Sequence, residues 1–336
     1  MRLGVAIEET WDFFREIYAD FTANFDTHLF RRRQLASGPF HMRINRAIFR
    51  HDMQSFLADN DVVFFEWASE LLARASHMPK RCAIVTRLHR YELYQWADRV
   101  NWDAVDRIIL VSRAKQQEFC RRFPDQAAKT AAVSPSVALD KFTFQPKPFG
   151  GNIGILCHLT PRKRVYELIL AFSELVAQEP ELHLHIAGGA GAAFRDYEEA
   201  LHYIVHKLGL DDRVTFHGNV TDTQSWYRNI DVFVSHSYSE GLQVAPMEAM
   251  ASGCCTFAHH WDGAEELVPP QNLYLTDRQL QEKVLEYIAL PPDEKAARSA
   301  VMRQWACDRF DIQKTIQQVR ETVQEAAQQW TQGQGK

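Results

Sequence analysis

No two cysteines in this 336-residue chain stand in a C-x-x-C arrangement, and several of the six (Cys82, Cys120, Cys157, Cys254, Cys255, Cys307) lie within apolar runs. That excludes the usual zinc and dithiol motifs and points to buried thiols in a reducing compartment rather than a disulfide framework. Neither Cys157–His158 nor Cys254–Cys255 is expected to bind metal. No run approaches ~18 consecutive apolar residues, so no segment is expected to span a bilayer. The N-terminus, MRLGVAIEETW, lacks a basic stretch leading into a long apolar core, which argues against a secretory signal. Excess positive charge is missing too: 38 Lys and Arg stand against 43 Asp and Glu, a net charge of −5, so nucleic acid is not an expected partner. These absences point to a cytoplasmic protein with at most peripheral contact at the inner face of a membrane.

What is present is an ordinary globular composition, 46% hydrophobic and 24% charged, with a length that suits two domains. Short apolar runs at Arg2–Ile7, Asp61–Trp67, Arg81–Thr86 and Arg107–Ser112 alternate with helical patterns, the rhythm of a parallel sheet wound in βαβ units. A possible further strand opens at Leu29–Phe30, and the first helix is expected to run through Tyr18. Pro and Gly gather in Thr143–Gly151 (TFQPKPFGG), which reads as a linker. The rhythm then resumes with strands at Asn152–His158, Leu182–Ala187, Arg213–Asn219 and Asp231–Ser235. These features divide the chain into domains at 1–146 and 152–305. A C-terminal helix at 306–330 completes the plan, its Ile312, Ile316, Val319, Val323 and Trp330 recurring at three and four residues.

The most informative stretch is Ser235–Gly253 (SHSYSEGLQVAPMEAMASG). A buried strand ends there and a helix opens near Ala245, with a turn expected at Gly241, the residue that takes positive φ at least cost. A helix N-terminus offers unpaired N–H groups and a positive dipole end, which suits phosphate. Glu240 and Glu248 flank this seat. Carboxylates repel phosphate but accept hydrogen bonds from hydroxyls. A diphosphate with hydroxyls on both sides is the outline of a nucleotide sugar.

The same stretch resembles the E-x7-E signature of glycosyltransferase family 4, the retaining transferases also called group 1. EAMASG and Trp261–Val268 (WDGAEELV) match the segments downstream of that signature in the family. The resemblance implies an α/β chain of the GT-B fold: two Rossmann-like domains facing each other across a cleft, with a C-terminal helix crossing back to the first. It implies a retaining transfer from a nucleotide-diphospho-sugar to a hydroxyl acceptor, in polysaccharide, glycolipid or other glycoconjugate synthesis, without cofactor or metal. CHLTPRKRV resembles the family's diphosphate-gripping segment, with Lys163 at the lysine position and His158 in place of the arginine; Arg162 and Arg164 stand near enough to compensate. By the same resemblance Lys163 and His158 hold the diphosphate, aided by N–H groups around Leu242 and Gln243, Glu240 binds the transferred sugar, Glu248 the ribose, and the loop holding Gly218 lies against the base. His89, in RLHRYE at a strand end, faces the transferred sugar. The likeness is dense over 152–330 and patchy before it. The family's Gly-Gly loop after the first strand is replaced by Glu8–Glu9–Thr10, and the Pro-Asn-Gly-Val-Asp segment is broken by Ser136 and Ala138.

Other features carry less. His28–His51 holds six arginines and no acidic residue; with Phe30, Phe40, Ile44, Ile48 and Phe49 it can lie on an anionic membrane, or simply pair its arginines with acids elsewhere. Asp59–Asn60–Asp61 is the only Asp-x-Asp and reads as a polar turn before a strand. Gly189-Ala-Gly191-Ala-Ala-Phe194 is an incomplete dinucleotide fingerprint. Two rival functions remain: a nucleotide-sugar epimerase, for which Glu66 and Glu92 are the acid–base candidates, and a catalytically silent sugar-nucleotide binder.

Overall fold

The computed structural model describes residues 1–334, which form two compact units. Residues 1–135 and the chain from 313 onward make the first; residues 136–312 make the second.

The first unit is built on six parallel strands: β1 (Arg2–Ala6), β2 (Asp26–Leu29), β3 (Val62–Glu66), β4 (Ala83–Leu88), β5 (Arg107–Leu110) and β6 (Thr130–Ala132), in the order 2-1-3-4-5-6. Every residue of β3 and β4 is buried, as expected for strands covered on both faces. The helices between them are α1 (Arg15–Asn24), α2 (His41–Ala58), α3 (Glu70–Ala75), α4 (Arg90–Gln95) and α5 (Arg113–Arg122). The second strand lies earlier than expected: Arg2 to Val5 pair with Asp26 to Leu29, leaving Phe30 outside the strand to enter the core with Phe49 and Met53. The first helix runs past Tyr18 to Asn24 and begins only at Arg15, because residues 7–14 form a loop whose carbonyls are held by Arg87 and Trp67.

The second unit repeats the plan with β7 (Asn152–Leu156), β8 (His183–Ala187), β9 (Val214–Gly218), β10 (Val232–Ser235), β11 (Cys255–His259) and β12 (Leu273–Tyr274), ordered 12-11-10-7-8-9. Its helices are α6 (Val165–Val176), α7 (Arg195–Lys207), α8 (Thr223–Arg228), α9 (Val244–Ala251), α10 (Asp277–Ala289) and α11 (Pro292–Arg309). Amphipathic α6 buries Val165, Leu168, Ile169, Phe172 and Leu175. Ser136–Phe142 belongs to this unit: Phe142 is in its core, and Arg303 donates to the carbonyls of Leu139 and Phe142. Helix α12 (Ile312–Gln334) rejoins the first unit, where Arg320 donates to Asp20 at 2.6 Å and Trp330 lies under the Lys80 ammonium.

In sheets of this kind ligands collect at the carboxyl ends of the strands, where the strand order reverses. Those points are β1/β3 in the first unit and β7/β10 in the second. Among the described residues no helix is long and apolar enough to cross a membrane, and all six cysteines are free thiols.

Candidate functional site

At the β7/β10 reversal two loops meet. The first leaves β7 at Cys157, winds a short 3-10 turn through Pro161–Lys163, and enters α6 through Arg164, which is left-handed at φ 53°. The second leaves β10 at His236 and reaches α9 at Val244. The Tyr238 N–H to the Arg162 carbonyl (3.3 Å) ties them together. The 3-10 turn sets Arg162 and Lys163 side by side. Lys163 Nζ donates to Glu240 Oε1 at 2.7 Å, and Arg162 pairs with that same oxygen while donating to the Ser239 carbonyl at 2.8 Å. Burial alone would push the Glu240 carboxyl up, but the two cations, with hydrogen bonds from Lys163 and Gln243, outweigh it and hold it down at about 2. Arg164 is not part of this group; it pairs with Asp277 at 3.1 Å.

Gln243 caps the approach to α9, accepting from Ser235 Oγ and donating to Ser237 Oγ at 2.9 Å. The expected left-handed turn at Gly241 is not formed. Positive φ occurs at Gly218 and Gly253 but not at Gly241, because the reversal is spread over the whole of His236–Gln243 and no single residue there needs the left-handed region. Gly241 and Leu242 are both buried in this loop.

Glu248 projects from α9 toward α8, where Tyr227 Oη lies 3.0 Å from its Oε2 and 3.0 Å from the Ala245 carbonyl. No cation among the described residues pairs with it. Burial raises the Glu248 carboxyl to about 7 despite the hydrogen bond from Tyr227. His158, in the arginine position of the motif, is exposed, with no hydrogen bond or ion pair among the described residues. Gly218 ends β9 at φ 61° and accepts from the Gly188 N–H at 2.7 Å. A Cβ on Gly188 would meet the Cys157 carbonyl at 1.9 Å. The glycine turn after β8 therefore serves close packing against the end of β7; it follows the second strand of this sheet in chain order, not the first, whose turn carries a dinucleotide fingerprint.

The β1/β3 reversal of the first unit is built differently. Glu66 and Arg87, both essentially inaccessible, pair at 2.7 Å from adjacent strands. The guanidinium also donates to the Phe13 carbonyl at 2.6 Å, and Trp67 Nε1 donates to the Thr10 carbonyl. These two bonds hold the loop that stands where the family has glycines. Trp67 is itself left-handed at φ 71°, a strained conformation for a large residue, kept by that bond and by stacking on His89 at 4.1 Å between ring centroids. His89 follows β4. Its Nε2 lies 3.1 Å from Glu66 Oε1, and its ring closes a capping box with Glu92 at the start of α4. Glu92 in turn accepts from the backbone N–H groups of Ala68 and His89.

Of the remaining features, the Arg-rich segment divides. Arg32 pairs with Glu8 and Glu70, Arg33 with Asp52, and Phe30 and Phe49 are in the core. Leu35, Phe40, Met42 and Ile44 stay exposed, beside exposed Arg31, Arg43, Arg46 and Arg50. Asp59–Asn60–Asp61 is a turn at the amino end of β3, with Asp61 accepting from the Arg2 N–H at 2.7 Å. Sequence reasoning misses Arg87 and Tyr227, and also His236, which is fully buried with Nδ1 2.6 Å from Tyr274 Oη and Nε2 3.2 Å from Asp277. Only His236 carries a signal, as a polar residue directly after a strand beside the motif.

Residues 150–289 match the family described as "Glycosyl transferases group 1". D-inositol 3-phosphate glycosyltransferase 2 of Catenulispora acidiphila is 30% identical over 167 residues, 45% of this chain and 39% of that protein. The lipopolysaccharide core biosynthesis mannosyltransferase LpsB of Rhizobium meliloti is 32% identical over 148 residues, 44% of this chain and 40% of that protein. The chain thus spans about two fifths of the length of these curated relatives. Anabaena Alr3699/HepE, solved with UDP and glucose, superposes with a TM-score of 0.77 over 97% of this chain and 100% of its own, at 18% identity. The sucrose-phosphate synthase of Thermosynechococcus elongatus does so at 0.76 and 14%, over 97% and 98%. The fold is GT-B.

Proposed function

We propose that this chain, whose second unit carries a group 1 glycosyltransferase domain, is a retaining glycosyltransferase that moves a sugar from a nucleotide-diphospho-sugar to a hydroxyl acceptor. The observation that carries the reading is the meeting of Lys163, Arg162 and Glu240 beside the start of α9, at the strand reversal of the second sheet. The two cations and the N–H groups at Leu242 and Gln243 hold the diphosphate and neutralise the charge that grows as the nucleotide leaves. Glu240 accepts hydrogen bonds from the transferred sugar, and Glu248 from the ribose. The departing phosphate takes the acceptor proton on the face it has just left, so no separate base is needed. His89 stands at the carboxyl end of β4 in the first unit. With its ring engaged by Glu66 and Glu92, it is a fixed wall, and no proton is routed through it.

The names of the relatives, among them a mannosyltransferase and an inositol phosphate glycosyltransferase, and the UDP-glucose complex of HepE support a nucleotide-sugar donor. The epimerase reading is weakened because both of its candidate carboxylates are engaged, Glu66 by Arg87 and Glu92 by two backbone N–H groups. Incubation with a panel of UDP- and GDP-sugars and varied hydroxyl acceptors, with and without EDTA, tests the proposal. Transfer with retained anomeric configuration, insensitive to EDTA, is expected. Epimerised donor, inert donor, or activity restored only by Mg²⁺ or Mn²⁺ would count against it.

A second element concerns location. The exposed Phe40, Met42 and Ile44, with Arg43, Arg46 and Arg50 on the same helix, suit the surface of an anionic bilayer. Co-flotation with phosphatidylglycerol vesicles but not phosphatidylcholine vesicles, lost on Phe40→Ser/Met42→Ser, is the expected result.

A further inference from the structure

Both cations proposed for the diphosphate are spoken for by one oxygen. Lys163 and Arg162 converge on Oε1 of Glu240, a residue only 7% exposed, while their own side chains remain 13% and 29% exposed. Arg164, the third cation in the segment, is held by Asp277 and cannot relieve them. A carboxylate oxygen under two cations is the local equivalent of a phosphate oxygen, which accepts from a guanidinium fork and from an ammonium point charge alike. The same carboxylate is proposed to accept from the sugar, and an Oε1 already taken by two cations is a poorer acceptor for a hydroxyl.

We infer that Glu240 is an internal stand-in for the donor diphosphate: it occupies Lys163 and Arg162 while the site is empty, yields them when a diphosphate arrives, and is thereby released to accept from the sugar. This rests on the donor site proposed above and adds an exchange to it. Electrostatics gives the exchange two consequences. Glu240 competes with every diphosphate for the same cations, so a free nucleotide diphosphate, which brings no sugar hydroxyls in return, is held weakly. A donor brings those hydroxyls and recovers the contact. The exchange therefore favours donor over leaving product, and it makes Glu240 a determinant of product release as well as a sugar contact.

The test is calorimetry of UDP, GDP and inorganic pyrophosphate with wild type, Glu240→Gln, Glu240→Ala and the double variants Arg162→Ala/Lys163→Ala and Glu240→Gln/Lys163→Ala. Thermal midpoints check that each is folded. Removing a like charge this close to the ligand is expected to tighten binding of the best of these ligands about tenfold in Glu240→Gln and Glu240→Ala, even as transfer activity falls. The gain should vanish in Glu240→Gln/Lys163→Ala. Equal or weaker binding by both folded Glu240 variants would overturn the exchange. If Arg162→Ala/Lys163→Ala binds as wild type does, the cations do not hold the diphosphate, and the donor-site reading fails with it.

Discussion

The two units place the same chemical group at the same topological point and treat it in opposite ways. Each has a carboxylate held by cations at the strand reversal: Glu66 under Arg87 in the first, Glu240 under Lys163 and Arg162 in the second. The first pair is sealed, its side chains 0% and 1% exposed, and the guanidinium also donates to the Phe13 carbonyl. The second pair stands at the edge, with cations that water and ligand can reach. Burial decides what an ion pair is for. A sealed pair has no exchange partner, so it can only hold structure; an open one can trade its anion for another.

This contrast makes its largest prediction in stability. Glu66→Ala or Arg87→Ala leaves an uncompensated buried charge and should cost ~3–5 kcal/mol, whereas Glu66→Leu/Arg87→Met together should cost far less. Lys163→Ala should cost less, under ~3 kcal/mol, the scale of one charge-assisted hydrogen bond, because Glu240 keeps Arg162 as a partner. Yet Lys163→Ala should lower turnover about a hundredfold, through lost stabilisation of the leaving diphosphate. Denaturant unfolding and steady-state rates on the same variants compare the two. Equal stability losses in both units would dissolve the distinction.

Buried carboxylates without cations extend the comparison. Burial pushes both Glu92 and Glu248 up, and the nearby His89 and two backbone N–H groups temper it only for Glu92. Glu92 has fixed partners on Oε1, and its Oε2 is buried without one. Glu248, at about 7 with Tyr227 as its partner, straddles neutrality. Ribose hydroxyls donate to the ionised form, so binding requires the proton to leave. Affinity should therefore rise with pH up to about 7 and level off above, leaving pH 6 about tenfold weaker than pH 8 once the phosphate's own titration is subtracted. Calorimetry with UDP and GDP on wild type and Glu248→Gln reads this directly. A wild-type profile as flat as that of Glu248→Gln would remove Glu248 from the ribose.

How much of this is legible in the chain depends on whether the signal is local. Most strands can be read because parallel strands covered on both faces are continuous apolar runs, as in VVFFE and VFVS. Glu240, Glu248 and Lys163 can be read because the motif fixes their spacing. β2 escapes because DTHL is polar and edge-lying, and only its pairing with β1 identifies it. The turn at Gly241 misleads because glycine permits positive φ without requiring it. Arg87 lies unnoticed inside a strand whose other residues are mostly apolar, and Tyr227 lies on a short helix that names no partner; both acquire meaning only through residues distant in the chain.

The smallest expected effect concerns the one motif position where this chain departs most plainly from the family pattern. His158 stands where the family has an arginine, and the natural expectation is that the substitution weakens the grip on phosphate, since an imidazole keeps no charge above neutrality. The structure relocates the question. The second cation on Glu240 is Arg162, anchored by its bond to the Ser239 carbonyl and by the Tyr238 N–H on its own carbonyl, while His158 is exposed and touches no polar partner among the described residues. A side chain without fixed partners adds little to binding. His158→Ala should therefore change UDP or GDP affinity by no more than about threefold, the scale of an exposed ionic contact. Arg162→Ala should lose more than about tenfold, because it removes a charge-assisted donor rather than a surface neighbour. His158→Arg should gain little for the same reason, the place it would fill being already taken. If instead His158→Ala proves the more damaging change, the imidazole reaches the phosphates in the complex, and Arg162 belongs with the sealed cations whose work is to hold a loop.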